Sequence, residues 1–269
     1  MCGKSLPRPF IPKKRLGQNF LIDRKSLEDI LRCAEISPSD TILEVGAGPG
    51  TLTQLLQNKA RRIVAVEKDP QLVEFLQRRF HKNPRVEVVK ADILKMELPH
   101  CDKVVATPPY NISSRLLFLL LGKQFETMVL VFQKEFAERL VAEPGTRDYS
   151  RLTVMTNHRA HTEILGYISK ESFRPRPKVD SAIVKITPKE PDQTINKDVF
   201  IDLVRGLFTQ RRRKLGTTLR HYIQRKIKAP PEDLSDLEFL GKRVFQVSVE
   251  EFERLTHRLT PMLTAQDRG

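Results

Sequence analysis

A strand that runs straight into a glycine-rich turn constrains this chain more than any other feature. Thr41 to Val45 is rich in β-formers, Gly46-Ala47-Gly48-Pro49-Gly50 follows at once, and Leu52, Leu55 and Leu56 then continue at helical spacing. Ile63 to Glu67 reads as the next strand. Strand, tight turn, helix and strand make a βαβ unit, whose parallel strands need cover on both faces. The alternation persists through a helix with Leu72, Leu76 and Phe80, and through strands at Val86 to Val89 and Lys103 to Ala106. A helix over Arg115 to Leu121, capped by Ser113-Ser114, a strand at Thr127 to Phe132 and a helix from Lys134 to Ala142 come next. Upstream, Asp23 is placed to cap a helix carrying Leu27, Ile30, Leu31 and Ala34 on one face and ending near Ser37-Pro38. Glu163 to Ile168 and Ala182 to Ile186, joined through the proline-rich loop Phe173 to Val179, suit an antiparallel hairpin at the sheet edge. The expected fold is α/β and Rossmann-like, with a mainly parallel sheet.

Composition shifts at Thr187-Pro188-Lys189-Glu190-Pro191-Asp192, and beyond it Phe200, Leu203, Val204, Leu207 and Phe208 fall on one helical stripe. The 269 residues therefore divide into a larger domain over 1–187, opening with a basic arm at 1–16, and a small helical domain over 188–269.

Charge narrows the choice of partner. Lys and Arg number 47 against 33 acids, a formal charge of +14, which favours a polyanion through neutralisation of phosphates. The cations cluster at Lys13-Lys14-Arg15, Arg174 to Lys178 and Arg211-Arg212-Arg213-Lys214. No apolar run approaches the roughly 20 residues of a membrane span. Prolines at 7, 9 and 12 forbid an amphipathic transit helix in the first residues. Cys2, Cys33 and Cys101 are an unpaired set that indicates neither a disulfide framework nor a metal site, so a reducing, cytoplasmic setting is expected.

In an open parallel sheet ligands bind beyond the carboxyl ends of the strands, where the glycine turn sits. The spacing is GxGxG, with Thr51 where a dinucleotide fingerprint continues differently. Glu67, ending the second strand, can accept hydrogen bonds from both ribose hydroxyls, and Asp92, after the third, stands where an adenine amine would lie. No phosphate-binding Gly-Lys-Ser/Thr is present, so S-adenosylmethionine fits better than NAD or a nucleoside triphosphate.

Thr107-Pro108-Pro109-Tyr110 supplies a second chemical element. An aromatic amine is a poor nucleophile because its lone pair is delocalised, and acceptors for its two N–H groups favour a pyramidal nitrogen. The prolines fix the backbone so that a carbonyl can be one acceptor, while Tyr110 offers a stacking face and Phe173 a second one. A base held this way is single-stranded or flipped out.

These residues resemble the KsgA-type ribosomal RNA adenine dimethyltransferases, most closely the archaeal branch. The resemblance runs through Arg15-Leu16-Gly17-Gln18-Asn19-Phe20-Leu21, the glycine turn, Asp92 and Pro109-Tyr110-Asn111-Ile112-Ser113-Ser114. It continues through Gln133-Lys134-Glu135, Phe173 to Ala182, Gln210 to Lys214 and Arg243 to Ser248. It implies a class I methyltransferase fold and dimethylation of two adjacent adenosines in the 3′-terminal hairpin loop of small-subunit rRNA, on an immature ribosomal particle. By the family's pattern Gln18, Asn19, Leu21, Gly46, Glu67 and Asp92 contact S-adenosylmethionine, with Gly48, Lys68, Ile93 and Thr107 completing the set. Thr107, Pro108 and Tyr110 would hold the amine, Phe173 would form the second wall, and no metal takes part. Lys13, Lys14, Arg15, Arg174, Arg176, Lys178, Arg211, Arg212, Arg213 and Lys214 would grip rRNA phosphates. No apolar stripe demands a partner copy, and a monomer is expected.

The family usually has Asn at position 107, where this chain has Thr, a shorter acceptor. Activity is expected to be retained at a rate set by that reach. The alternatives are a non-catalytic rRNA-binding assembly factor, motivated by Thr107 alone, and a methyltransferase acting on large-subunit rRNA or on DNA adenine.

Overall fold

The computed structural model describes residues 11–190, 192–226, 234 and 237–264. Met1 to Phe10 of the expected arm, Cys2 and Pro191 of the linker lie outside the described residues. In chain order come β1 (Phe20–Leu21), α1 (Arg24–Ala34), β2 (Thr41–Val45), α2 (Thr51–Leu56), β3 (Arg62–Glu67), α3 (Pro70–Phe80) and β4 (Val86–Lys90). Then follow β5 (Lys103–Ala106), α4 (Ser113–Leu120), β6 (Thr127–Gln133), α5 (Lys134–Leu140), α6 (Arg151–Asn157), β7 (Ala160–Ile168), β8 (Phe173–Arg174) and β9 (Ser181–Pro188). Last among the described residues come α7 (Lys197–Leu207), α8 (Leu215–Lys226) and α9 (Val249–Thr264).

Two compact units result. Among the described residues the first takes those up to 137 and 161–188, and the second takes 138–160 together with those from 189 onward. The units thus divide at 137/138 and 160/161 as well as after Pro188. The segment 138–160 joins the second unit because Tyr149 and Val154 are buried with Phe200, Leu203 and Val247.

The first unit is built on a seven-stranded sheet of order β4-β3-β2-β5-β6-β9-β7. Parallel pairing runs from β4 to β6, with Val45 opposite Val66 and Leu43 opposite Val104. β9 pairs antiparallel with β6, Gln133 opposite Ser181, and the two strands expected to form the edge hairpin, β7 and β9, are neighbours at that edge. Residues 41–45 are all buried, which explains why the central strands read as apolar runs rather than alternating ones. β7, at the sheet edge, alternates instead.

Asp23 caps α1, its carboxylate accepting from the Ser26 N–H at 2.8 Å, and the predicted face Leu27, Ile30, Leu31 and Ala34 is buried. The helix stops at Ala34, short of Ser37-Pro38, because Glu35 turns left-handed at φ 47°. Before α4 the N-cap is Ile112, and Ser113 is a buried residue of the first turn rather than its cap. α5 ends at Leu140 instead of Ala142. β1 and β8 form a separate two-stranded sheet that the sequence pattern does not announce.

The second unit is helical. α7 buries Phe200, Leu203, Val204 and Leu207 at i, i+3, i+4 and i+7, and Asn196 caps it by accepting from the N–H groups of Asp198 and Val199. Gly206 on α7 sits against the ring of Tyr222 on α8, where a Cβ would lie 2.6 Å from it.

Candidate active site

The chain leaves β2 for β3 and β4 on one side and returns across the sheet to β5 on the other, so the strand order reverses between β2 and β5. Their carboxyl ends diverge there and open a crevice. Gly46 follows one strand and Thr107 the other, which is why two motifs some sixty residues apart in sequence meet in space.

A cavity of about 800 Å³ fills the crevice, lined by Gly46-Ala47-Gly48, Glu67, Lys68, Asp92, Ile93, Thr107 and Asn111. Gly48 stands at φ 57°, and its N–H donates to Glu67 Oε2 at 2.9 Å. The other carboxylate oxygen of Glu67 accepts from the N–H groups of Lys68 and Asp69, both at 2.8 Å. Burial raises the pKa of this carboxyl against the opposing pull of those three donors. On the neighbouring strand end Asp92 accepts from Lys68 Nζ at 2.9 Å, and this bond, with partial burial working against it, holds the Asp92 carboxyl below its usual range. Ile93 is buried beside it.

Residues 15–21 line the same cavity, Gln18, Asn19 and Leu21 among them. The Gln18 carboxamide is already engaged, donating to Asp69 Oδ2 at 3.0 Å and accepting from the Lys13 N–H at 2.6 Å. Asn19 donates to Gly17 O at 3.2 Å. Asp69, Asn111 and Arg115 were not singled out for the site from sequence. Asp69 carries the signal of a helix start, standing immediately before Pro70, but nothing local points to its partners.

A narrow cleft with no room for a water molecule adjoins the cavity, lined by Asn19, Thr107, Pro108, Tyr110 and Phe173. Tyr110 donates to or accepts from Ser181 Oγ at 2.6 Å, and burial raises its phenol pKa against that hydrogen bond. Phe173 meets Tyr110 edge-on, centroids 6.4 Å apart at 68°, and is 1% exposed. The ring is thus a core side chain here and presents no open face.

The basic residues separate into engaged and exposed groups. Lys13 pairs with Asp69 at 2.6 Å, and Arg176 with Glu171 at 2.7 Å. Arg174 donates to the carbonyls of Glu171 and Phe173. Arg211 donates to Arg147 O at 3.0 Å and stacks on Phe245, so it braces the helical unit. Lys14, Arg15, Lys178, Arg212, Arg213 and Lys214 are exposed.

Glu44, in β2 beneath the turn, is 2% exposed, and burial pushes its carboxyl up to about 8 despite a 2.6 Å hydrogen bond from Thr53 Oγ1. The folded state binds the proton more tightly than the unfolded chain does. That contribution to stability is fully present below the ordinary carboxyl range and is lost as pH rises towards about 8. Glu44→Gln, which keeps an acceptor for Thr53, is expected to flatten this loss. Thermal melts from roughly pH 5 to 9 check it, and parallel curves for the two proteins would contradict it.

Switch-point crevice, glycine turn and paired acids define a class I methyltransferase fold. The ribosomal RNA adenine dimethylase profile matches residues 10–257. The chain belongs to that family, and is a methyltransferase of ribosomal RNA adenine. It is 43% identical over 243 residues to the "Probable ribosomal RNA small subunit methyltransferase A" of Thermococcus gammatolerans, covering 89% of this chain and 86% of the relative. The protein of the same name from Methanosarcina acetivorans is 43% identical over 246 residues, with 90% and 91% covered. Among solved structures, a dimethyladenosine transferase from Plasmodium falciparum superposes with a TM-score of 0.82 at 30% identity, covering 89% of this chain and 96% of that one. The 23S rRNA methyltransferase ErmE gives 0.68 at 33%, covering 90% and 99%.

Proposed function

We propose that this protein uses S-adenosylmethionine to dimethylate N6 of two adjacent adenosines in the 3′-terminal hairpin loop of small-subunit rRNA. The substrate is an immature ribosomal particle in the cytoplasm, and the protein acts as a monomer without a metal. The observation that carries the reading is the junction at Thr107, which lines both the 800 Å³ cavity and the Pro-Pro-Tyr cleft. A methyl donor in the first and an amine in the second would meet there.

The residues present fit an adenosine. Glu67 and Asp92 offer carboxylates where hydroxyls and an amine need acceptors, and two anions disfavour a phosphorylated nucleotide. Lys68 would release Asp92 to the amine. When bound, the cofactor supplies an electrophilic sulfonium methyl, whose transfer leaves a thioether while the accepting amine sheds one proton per methyl. Thr107 Oγ1 and a proline carbonyl accept the N–H bonds of the target, and Tyr110 stacks on its ring. Lys14, Arg15, Arg174, Arg176, Lys178, Arg212, Arg213 and Lys214 contact phosphates. Phe173 serves as the second wall only after the cleft widens.

Labelled S-adenosylmethionine offered with immature small subunits, large-subunit RNA and DNA tests the assignment. Label is expected in the small subunit alone, and its appearance only in large-subunit RNA, the substrate named for the ErmE neighbour, would overturn the choice of target. Thr107→Asn lengthens the acceptor and is expected to raise kcat several-fold. Equal or slower turnover would show that the hydroxyl already reaches the amine.

A further inference from the structure

The residues covering the adenosine cavity form a strap fixed at two points. At one end Phe20–Leu21 pairs with Phe173–Arg174 in the small sheet. At the other, Lys13 Nζ meets Asp69 Oδ1 at 2.6 Å, Gln18 Nε2 donates to Asp69 Oδ2 at 3.0 Å, and the Lys13 N–H closes the triangle on Gln18 Oε1 at 2.6 Å. Between these points Arg15 to Leu21 line the cavity. None of residues 13–19 is buried, so the outer half of the strap is held by polar contacts rather than by core packing.

Asp69 does more than its helix requires. Capping α3 uses one carboxylate oxygen, which accepts from the Gln71 N–H at 3.1 Å. Both oxygens are nevertheless committed to a segment more than fifty residues away in sequence. The carboxylate is 3% exposed, so its pairing with Lys13 escapes the screening that makes surface ion pairs weak. Burial works against its charge, yet Lys13 and Gln18 hold the carboxyl below its ordinary range. Its own N–H donates to Glu67 Oε1, which ties the latch to the proposed ribose acceptor.

We propose that Lys13 and Asp69 are positioning residues, a latch that holds the strap closed over the adenosine end of the cavity and so sets how tightly and how long S-adenosylmethionine stays. This rests on the reading of the cavity given above. Opening the strap lowers the fraction of molecules competent to retain the cofactor, and apparent affinity falls by that fraction. Lys13, counted among the rRNA contacts from sequence, is thereby assigned to the cofactor.

Asp69→Asn keeps a good N-cap and the shape of the side chain while removing the charge. Lys13→Met removes the partner without touching α3. Each is expected to weaken binding about tenfold, mainly through faster release, and the double variant is expected to be no weaker than either single one. Lys13→Arg should retain most of the affinity. An independent readout is amide hydrogen exchange in the ligand-free protein, which should rise over residues 14–21 in both variants and stay unchanged over α3. Wild-type affinity in both variants, or losses that add, would overturn the latch. If the wild-type protein itself fails to bind S-adenosylmethionine, the reading of the cavity fails, and unchanged exchange over the strap then refutes the latch separately.

Discussion

Glu67→Gln is expected to weaken S-adenosylmethionine binding between about 10-fold and 100-fold and to lower the stability of the first unit as well. The carboxylate accepts three backbone N–H groups, from Gly48 on one oxygen and from Lys68 and Asp69 on the other. Glutamine has one acceptor oxygen, so its amide nitrogen must face a donor whichever way it turns. Hydrogen bonds to a charged acceptor contribute about 1.5–3 kcal/mol, and a buried donor left unpaired costs a comparable amount. A loss of that size from the bonds the ribose hydroxyls would make to this carboxylate corresponds to roughly one to two orders of magnitude in affinity. Calorimetric titration alongside thermal melts separates the two losses. Binding at wild-type strength would remove Glu67 from the cofactor site.

Gly50→Ala should be the most damaging single-methyl change in the turn. Gly50 stands at φ 77°, a conformation that costs an L-residue about 1–2 kcal/mol. The added Cβ would also lie 2.7 Å from Leu76 Cδ2 and 2.9 Å from Phe80 Cε2, both on the buried face of α3. Overpacking of this kind adds about 1–3 kcal/mol. Together these predict a fall in melting temperature on the order of 10 °C. Gly145→Ala is the control, because φ is 90° there but the nearest atom to a Cβ, Gln246 Cγ, is 3.9 Å away. It should show the backbone cost alone. Equal melting temperatures for the two variants would mean that α3 yields and the contact argument is wrong.

The sheet was legible because its central strands are buried on both faces and so appear as largely apolar runs between turn residues, broken in β2 by the buried Glu44. Alternation places the glycine turn at a carboxyl end, but the meeting of Gly46 and Thr107 depends on the strand order, which alternation does not fix. Other features depend on contacts that no local pattern encodes. Two-residue strands such as β1 and β8 are too short to show a period. Lys13 and Arg211 look like free cations in a cluster, yet one is paired with a buried acid far along the chain and the other is spread over backbone carbonyls and a ring. Phe173 heads an exposed-looking proline loop, and pairing of Leu21 with it draws the ring into the core. Ser113-Ser114 carries a capping signal, but the N-cap is Ile112 and Ser113 is a buried residue of the first turn.

The segment 138–160 bears on how the protein can be made. Tyr149 donates to Val247 O at 2.7 Å and shares its core with Phe200 and Phe252, all of them encoded far downstream. During synthesis this segment emerges well before the residues that will cover it. Its apolar side chains must wait, bare, until the C-terminal helices leave the ribosome. A shortened protein ending at Pro188 would keep that surface for good, so removing the C-terminal helices should yield an aggregating product rather than an isolated catalytic domain.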